Sequence, residues 1–532
     1  MSFVTNEYQQ ISLFDSLGFL SPRKQRILEK SWAKPFSDHI FSNIDEMIFA
    51  PLYSEKTNSR PNAPVNVIVG ALILKELNGL TDDEILEECE CDFRYQYALH
   101  TTSYENQPIS DRTFSRFRER NAAYELVTGK DLIHDCIVGL SEHIRQFMGI
   151  GLGIKRMDSM MIEANIKKMG RLELLYTCLS NLVKAISRDG GLALPEGFGA
   201  YADPNNRNKV VYYAKDIPQE QRLQKVIDDA VTLLPLCRDG YEGTTDYQLL
   251  VRAVSEQTKD GGDGRRVPKG KGDGMTASVL QSPSDPDATY RDKADKPHRG
   301  YSANLTEAVS KKGSVIIDYQ YDANTKSDSS FLQDYIEKQD GMQGTSVLIT
   351  DGAYSGGDNQ ASAAGKNITL LTTGLIGRKP QKILSEFRLN EEETAVLSCP
   401  AGHAPKSCSY IRQSESFRVS FHCVDCLNCP RRDECSPAIK ERTAVKFISL
   451  KSRRKLGSNI LDEETRTLIG RIRNGVETVP SVIRNKYGVD KMPVRGKLRT
   501  KQFFGFKVAA LNFTKLVRSL KGQEKCRALL LA

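Results

Sequence analysis

No stretch of this 532-residue chain is apolar for long enough to cross a membrane. The longest runs, such as residues 67–74 and 508–511, fall well short of the roughly 20 residues a spanning helix needs. The first residues also lack a basic segment followed by an apolar one, so no secretory signal is expected and the reading is a cytoplasmic protein. Internal repeats and low-complexity tracts are missing too. So is a phosphate-binding loop: residues 269–274 hold three glycines and two lysines, but not in the G-x-x-x-x-G-K-[ST] spacing.

What is present is ordinary in bulk, with 39% hydrophobic and 27% charged residues, and the length suggests about two to four domains. The net charge of +8 is unevenly spread. Residues 437–532 carry 23 Lys/Arg against 7 Asp/Glu, which leaves the remainder at −8. That asymmetry points the C-terminal part at a polyanion, the alternative being a plain solvated basic face. Six of the twelve cysteines fall between Cys399 and Cys435. In a cytoplasmic protein such clustering indicates metal rather than disulfides.

Residues 1–150 read as mostly helical. Val65, Val67, Ile68, Leu72, Ile73 and Leu77 form one apolar set, halted at Asn78 and Gly79. Thr81 and Glu84 have capping-box spacing and open the next helix. Ser110 then caps a segment in which Phe114 and Phe117 anchor one side while Arg112, Arg116, Arg118 and Arg120 reach outward. Contact with DNA and an ordinary surface helix are both compatible with that pattern. Residues 171–255 repeat helical spacing at Leu172, Leu175, Leu179, Leu182 and Ile186, whereas residues 257–300 read as loop or a mobile hairpin. Strands are expected near residues 153–163, 314–321, 345–351 and 368–373, giving an α/β mixed sheet with flanking helices.

Two of those strands carry an aspartate where an unpaired carboxylate is costly. Asp158 sits among Ile154, Met157, Met160 and Met161, and Asp351 ends the apolar run of residues 345–350. Phosphodiester chemistry uses two Mg²⁺ ions about 4 Å apart, and these need hard oxygen ligands. A third acid, Glu477, lies on a predicted helix whose apolar stripe is Leu468, Ile472, Val476, Val479 and Ile483. Arg466, Gly470, Arg473 and Glu477 share the neighbouring face, although an Arg473–Glu477 surface pair explains the spacing equally. Pro480 is expected to kink or end this helix. Glu163, Asp318, Asp322 and Asp328 are rival ligands. In the cysteine cluster, Cys399, Cys408, Cys423, Cys426, Cys429, Cys435 and His403 exceed the four ligands of one tetrahedral zinc.

At these residues the chain resembles bacterial insertion-sequence transposases with a ribonuclease H-like catalytic core, the group named after insertion sequence 1182. The resemblance rests on Arg60 to Pro64, Asp111 to Arg118, Asp158 to Asn165, and Asp285 to Tyr290 with Lys293, Gly300 and Tyr301. It continues through Thr350 to Tyr354, Arg471 to Glu477, Arg495, Gly496 and Asn512, covering about residues 10–518. It implies that Asp158, Asp351 and Glu477 are catalytic and hold Mg²⁺ or Mn²⁺, and that Cys399, Cys426, Cys429 and Cys435 hold structural zinc. It further implies cleavage at the ends of a mobile element followed by strand transfer. Arg112, Arg116, Arg118, Arg466, Arg473 and Arg484 are the expected contacts to double-stranded DNA, both terminal inverted repeats and target. A homodimer on DNA, associated with the bacterial nucleoid, follows from the need to bring two ends together. The tyrosine and lysine that flank the Arg-x-x-x-Glu motif in related proteins are Gly470 and Arg484 here.

The expected organisation is a helical DNA-binding domain (1–150) and a catalytic core (151–378) with its helical insertion (about 171–255). A cysteine-rich zinc-ribbon-like insertion (379–446), the rest of the core (447–520) and a tail (521–532) follow. The rivals are a non-catalytic zinc-containing DNA-binding protein derived from a transposase, and a nuclease that hydrolyses without joining.

Overall fold

The computed structural model describes residues 1–6, 16–54, 59–102, 109–213, 216–262, 264–270, 272–293, 295–339, 344–373, 381–390, 392–450, 452–453 and 463–530. They fall into two compact units, Met1–Thr372 with Arg473–Ala532, and Thr373–Ile472.

In the first unit, the helices that precede the sheet include α1 (Val65–Asn78), α2 (Asp82–Cys91), α3 (Asp111–Thr128) and α4 (Leu132–Phe147). Gly79 takes the left-handed conformation that ends α1, and Thr81 and Glu84 exchange both capping-box hydrogen bonds. α1 is buried nearly all round, which explains why its apolar residues occupy more than one stripe.

The sheet comprises β1 (Ile154–Glu163), β2 (Thr289–Lys293), β3 (Lys296–Ser310), β4 (Gly313–Ala323), β5 (Ser346–Thr350) and β6 (Ile368–Thr372). Parallel pairing joins β6 to β5 and β5 to β1. β3 then runs antiparallel to β1, and its far edge pairs first with β2 and then with β4. Residues 289–293 and 296–300 are therefore strand, within the 257–300 stretch where a loop or mobile hairpin was expected. Their residues are polar enough to hide the pattern, and the long β3 ladder supplies the pairing. Gly300 makes this path possible: at φ +147° a Cβ there would lie 2.3 Å from the Ile162 carbonyl oxygen.

Between β1 and β2 stands the helical insertion, α5 (Arg171–Asp189), α6 (Gln219–Tyr241) and α7 (Thr245–Gln257). These pack around a core of their own that includes Leu175, Leu179, Leu182, Ile186, Ile227 and Leu250. α8 (Asp328–Glu337) and α9 (Gly357–Gly365) cover one face of the sheet, where Met157, Leu332, Tyr335, Leu348 and Leu370 cluster. On the other face Met160 and Ile162 join a core shared with α1, α3, α4 and the C-terminal helices. These are α10 (Glu463–Tyr487), whose part from Arg473 onward belongs to this unit, and α11 (Lys497–Leu530). The N-terminal helices and the sheet thus share one core, although a separate domain over 1–150 was expected. α10 runs through Pro480 instead of ending there, because Val479 before it and Ile483 and Tyr487 beyond it are buried.

The second unit is built on four antiparallel strands, β7 (Ser407–Ile411), β8 (Ser416–His422), β9 (Ala438–Ile439) and β10 (Thr443–Ser449), in the order β7-β8-β10-β9. Phe417, Val419, Phe421 and Ile448 form its core with Leu384, Phe387 and Val396. Among the described residues no helix is long and apolar enough to cross a membrane.

Candidate active site

Side chains alternate along β1, so Arg156, Asp158, Met160 and Ile162 share one face. On β5 the register sets Ile349 beside Arg156. Two residues further along each parallel chain stand Asp158 and Asp351, level with one another on that same face. Asp351 is still extended, at φ −80° and ψ 175°. Neighbouring strands lie about 4.8 Å apart, and the two carboxylates are close enough that the charge of Asp351 bears on Asp158.

Their hydrogen bonding is sparse. Asp158 accepts from the Ser159 N–H at 2.9 Å, and Asp351 accepts from the Ala353 N–H at 2.8 Å. Neither has an ion-pair partner among the described residues. Burial, and then the charge of Asp351, push the Asp158 carboxyl up to about 6, against the opposing pull of the Ser159 N–H, Arg473 and Lys293. A bound divalent cation would relieve both causes.

The four rival acids are already engaged. Glu163 meets His298 at 2.7 Å and Asp318 meets His134 at 2.8 Å. Asp322 pairs with Lys326 at 3.1 Å and Lys497 at 2.5 Å, while Asp328 accepts from the Ser159 hydroxyl at 2.7 Å.

Glu477 reaches this face by way of α10. Its carboxylate is 55% exposed and pairs with Arg473 at 3.0 Å. Arg473 in turn bears on Asp158. The structure therefore brings two of the three expected acids together and joins the third to them through an arginine. Among the described residues no three His, Cys, Asp or Glu side chains converge tightly enough to hold an ion.

The arginines expected at DNA divide into two sets. Arg112 and Arg116 are exposed on α3. Arg118 instead grips Asp82 through two hydrogen bonds, at 2.5 and 2.8 Å, with its guanidinium 4.7 Å from the Phe503 ring centre. Arg484 pairs with Asp490 at 2.6 Å and donates to the Met161 carbonyl at 2.6 Å. Both side chains thus have partners within the fold, Arg118 only 13% exposed and Arg484 still 42% exposed. The Arg466 side chain lies outside the described residues.

Several motif residues prove to be architectural. The Tyr301 hydroxyl donates to buried Asp285 at 2.6 Å. The Asn512 amide donates to the Ile316 carbonyl at 2.8 Å and accepts the Ile316 N–H at 3.0 Å, completing β4 from α11. Sequence reasoning missed the buried network beneath the aspartates, where Glu307 accepts from Arg156 at 2.7 Å, from Ser314 at 2.9 Å and from Lys515. The available signal was Arg156 two residues before Asp158, on the same face of the strand.

In the second unit Cys399, Cys426, Cys429 and Cys435 line one cavity with His403 and Lys446. Burial, and then the charges of Cys435, Cys399 and Cys429, push the Cys426 thiol up to about 11. A set of four sulfurs sharing a pocket fits a soft, tetrahedral ion chemically, although the thiols are more widely spread than bound ligands would be. Cys408 and Cys423 do not line it.

Fold and site together define an α/β protein with a paired-aspartate centre. Residues 398–517 match the family model described as "Transposase DDE domain", a span that includes Glu477 and the four cysteines. Residues 24–120 match that described as "Transposase domain (DUF772)". Two separate spans of the chain are thus similar to transposase domains. Comparison with curated proteins finds no match. A solved structure, the cryo-EM structure of a piggyBac transposase synaptic complex with hairpin DNA, aligns at 11% identity over 68% of this chain and 69% of that one. Its TM-score of 0.23 is too low to carry an argument.

Proposed function

We propose that the chain is a metal-dependent DNA transposase of the Asp-Asp-Glu class, with a ribonuclease H-like core. The observation that carries this reading is the level placement of Asp158 and Asp351 on adjacent parallel strands. The strand order around β1, with β3 antiparallel on one side and β5 and β6 parallel on the other, supports the ribonuclease H-like assignment.

Asp158 and Asp351 would hold Mg²⁺ or Mn²⁺, and Glu477 would complete the site on releasing Arg473. Bound there, the ions would activate a water or 3′-hydroxyl and neutralise the leaving oxygen. The freed Arg473 would sit beside the scissile phosphate. Exposed Arg112 and Arg116 and the basic C-terminal part would hold double-stranded DNA by its backbone, at terminal repeats and then at target, as a homodimer in the bacterial cytoplasm. Cys399, Cys426, Cys429 and Cys435 would bind structural zinc.

A second reading, a non-catalytic DNA-binding protein, draws on the Arg473–Glu477 pair, which engages the third acid with an arginine. One experiment separates the readings: cleavage of labelled DNA carrying the element's own ends, with Mg²⁺ or Mn²⁺, by wild type and Asp351→Asn. The transposase reading expects nicking at the ends, at least about a hundredfold slower in the variant, with DNA binding retained. Binding without cutting by either protein would select the regulator.

A further inference from the structure

We propose that Arg156 and Gly475 form a positioning clamp that sets the height of the Glu477-bearing helix over Asp158. The proposal rests on the reading of the paired aspartates as a metal-dependent centre.

α10 touches β1 at two places that bracket Asp158. At the far one, Arg484 donates to the Met161 carbonyl at 2.6 Å and pairs with Asp490, which itself accepts the Glu163 N–H at 3.0 Å. At the near one, the Arg156 guanidinium lies directly against the helix backbone at Gly475. A Cβ on Gly475 would stand 2.1 Å from Arg156 Nη1 and 3.1 Å from its Cζ. The two spacings agree: five residues of strand span about 16 Å and nine residues of helix about 14 Å. Helix and strand therefore run side by side through the site.

The near contact is a stop because Arg156 cannot swing away. The residue is 7% exposed, and its Nε is held at 2.7 Å by Glu307, which is 0% exposed and is bound by Lys515 and Ser314 as well. Moving the guanidinium would leave a buried carboxylate short of a partner. Glycine inside a helix costs about 1 kcal/mol relative to alanine, so its place here calls for a packing reason. Gly470, on the same helix, has nothing within 4 Å of its Cβ position and shows no such reason. Gly475 also lies midway between Arg473 and Glu477, so any lift of the helix at this point moves both.

The test compares Gly475→Ala with Gly470→Ala in the full-length chain, reading Mn²⁺ affinity by titration and end cleavage as separate kcat and KM. Gly475→Ala should weaken Mn²⁺ binding roughly tenfold and lower kcat roughly ten- to a hundredfold, with KM for DNA nearly unchanged. Gly470→Ala should match wild type. Arg156→Lys removes Nη1 while keeping a cation on Glu307, so the Arg156→Lys/Gly475→Ala double variant should regain most of both losses. In the Gly475→Ala background, Glu477→Gln should cost little more, because Glu477 is already displaced. Wild-type Mn²⁺ affinity and kcat in Gly475→Ala would overturn the clamp. So would a loss that Arg156→Lys leaves unrepaired, whether that loss is of fold or of activity. Failure of the underlying reading looks different, since wild type itself would then neither bind Mn²⁺ at the aspartates nor cut.

Discussion

His134 shows how far a single residue's chemistry can reach in this fold. It lies on α4, with Nε2 2.8 Å from Asp318 on β4 and Nδ1 3.6 Å from Asp135. Burial alone would lower its pKa, but the neighbouring carboxylates of Asp135 and Asp318 outweigh that and raise it to about 9. The folded value stands above the ordinary 6.5, so the imidazolium stabilises the fold fully below about pH 6.5, and that contribution fades as pH rises through 9. Urea unfolding of wild type should lose on the order of 2–3 kcal/mol between those limits, whereas His134→Gln should lose much less. Equal pH dependence in the two proteins would remove His134 from the account. Asp318 is thereby explained as the partner of this histidine rather than as a metal ligand. Asp158 and Asp351 differ from it in accepting only backbone N–H groups.

Among the elements, those with a repeating apolar pattern or a capping signal were legible. The capping box at Thr81, the strand ending at Asp351 and the stripe Leu175, Leu179, Leu182, Ile186 all lie where their spacing puts them. The register that sets Asp158 beside Asp351 was not, because it depends on how two distant strands pair. β2 and the start of β3 were hidden by polar residues such as Arg291, Asp292, Lys293 and His298 on strands held by their ladder. α10 looked breakable at Pro480, yet tertiary burial on its far side decides the matter. The cysteine-bearing segment reads as a metal module from spacing alone, while its four-stranded sheet and apolar core leave little trace in the sequence. That core is small, and the zinc reading gives it a second source of stability. A strong zinc chelator should therefore lower the melting of the second unit while leaving the first unit's transition in place, with zinc released at one ion per chain. A preparation that holds no zinc, or a melt indifferent to the chelator, would make these cysteines packing thiols.

At the scale of the whole molecule, one core runs from the N-terminal helices through the sheet to α11. Asn512, Lys515 and Lys507 on α11 reach Ile316, Glu307 and Glu76 respectively. The N-terminal helices and α11 are thus built into the scaffold that carries the aspartates, and the basic C-terminal charge is partly spent on internal acids. Boundaries drawn from composition could not anticipate this, since a helix that docks across 400 residues looks locally like any other. The central claim is that this scaffold exists to present Asp158 and Asp351 to a divalent ion. Mn²⁺ titration of the full-length protein, followed by electron paramagnetic resonance or calorimetry, tests it most directly. The account predicts saturable binding that falls by at least about tenfold in both Asp158→Asn and Asp351→Asn while the fold and the melting temperature are kept. Binding of equal strength in wild type and both variants would contradict it.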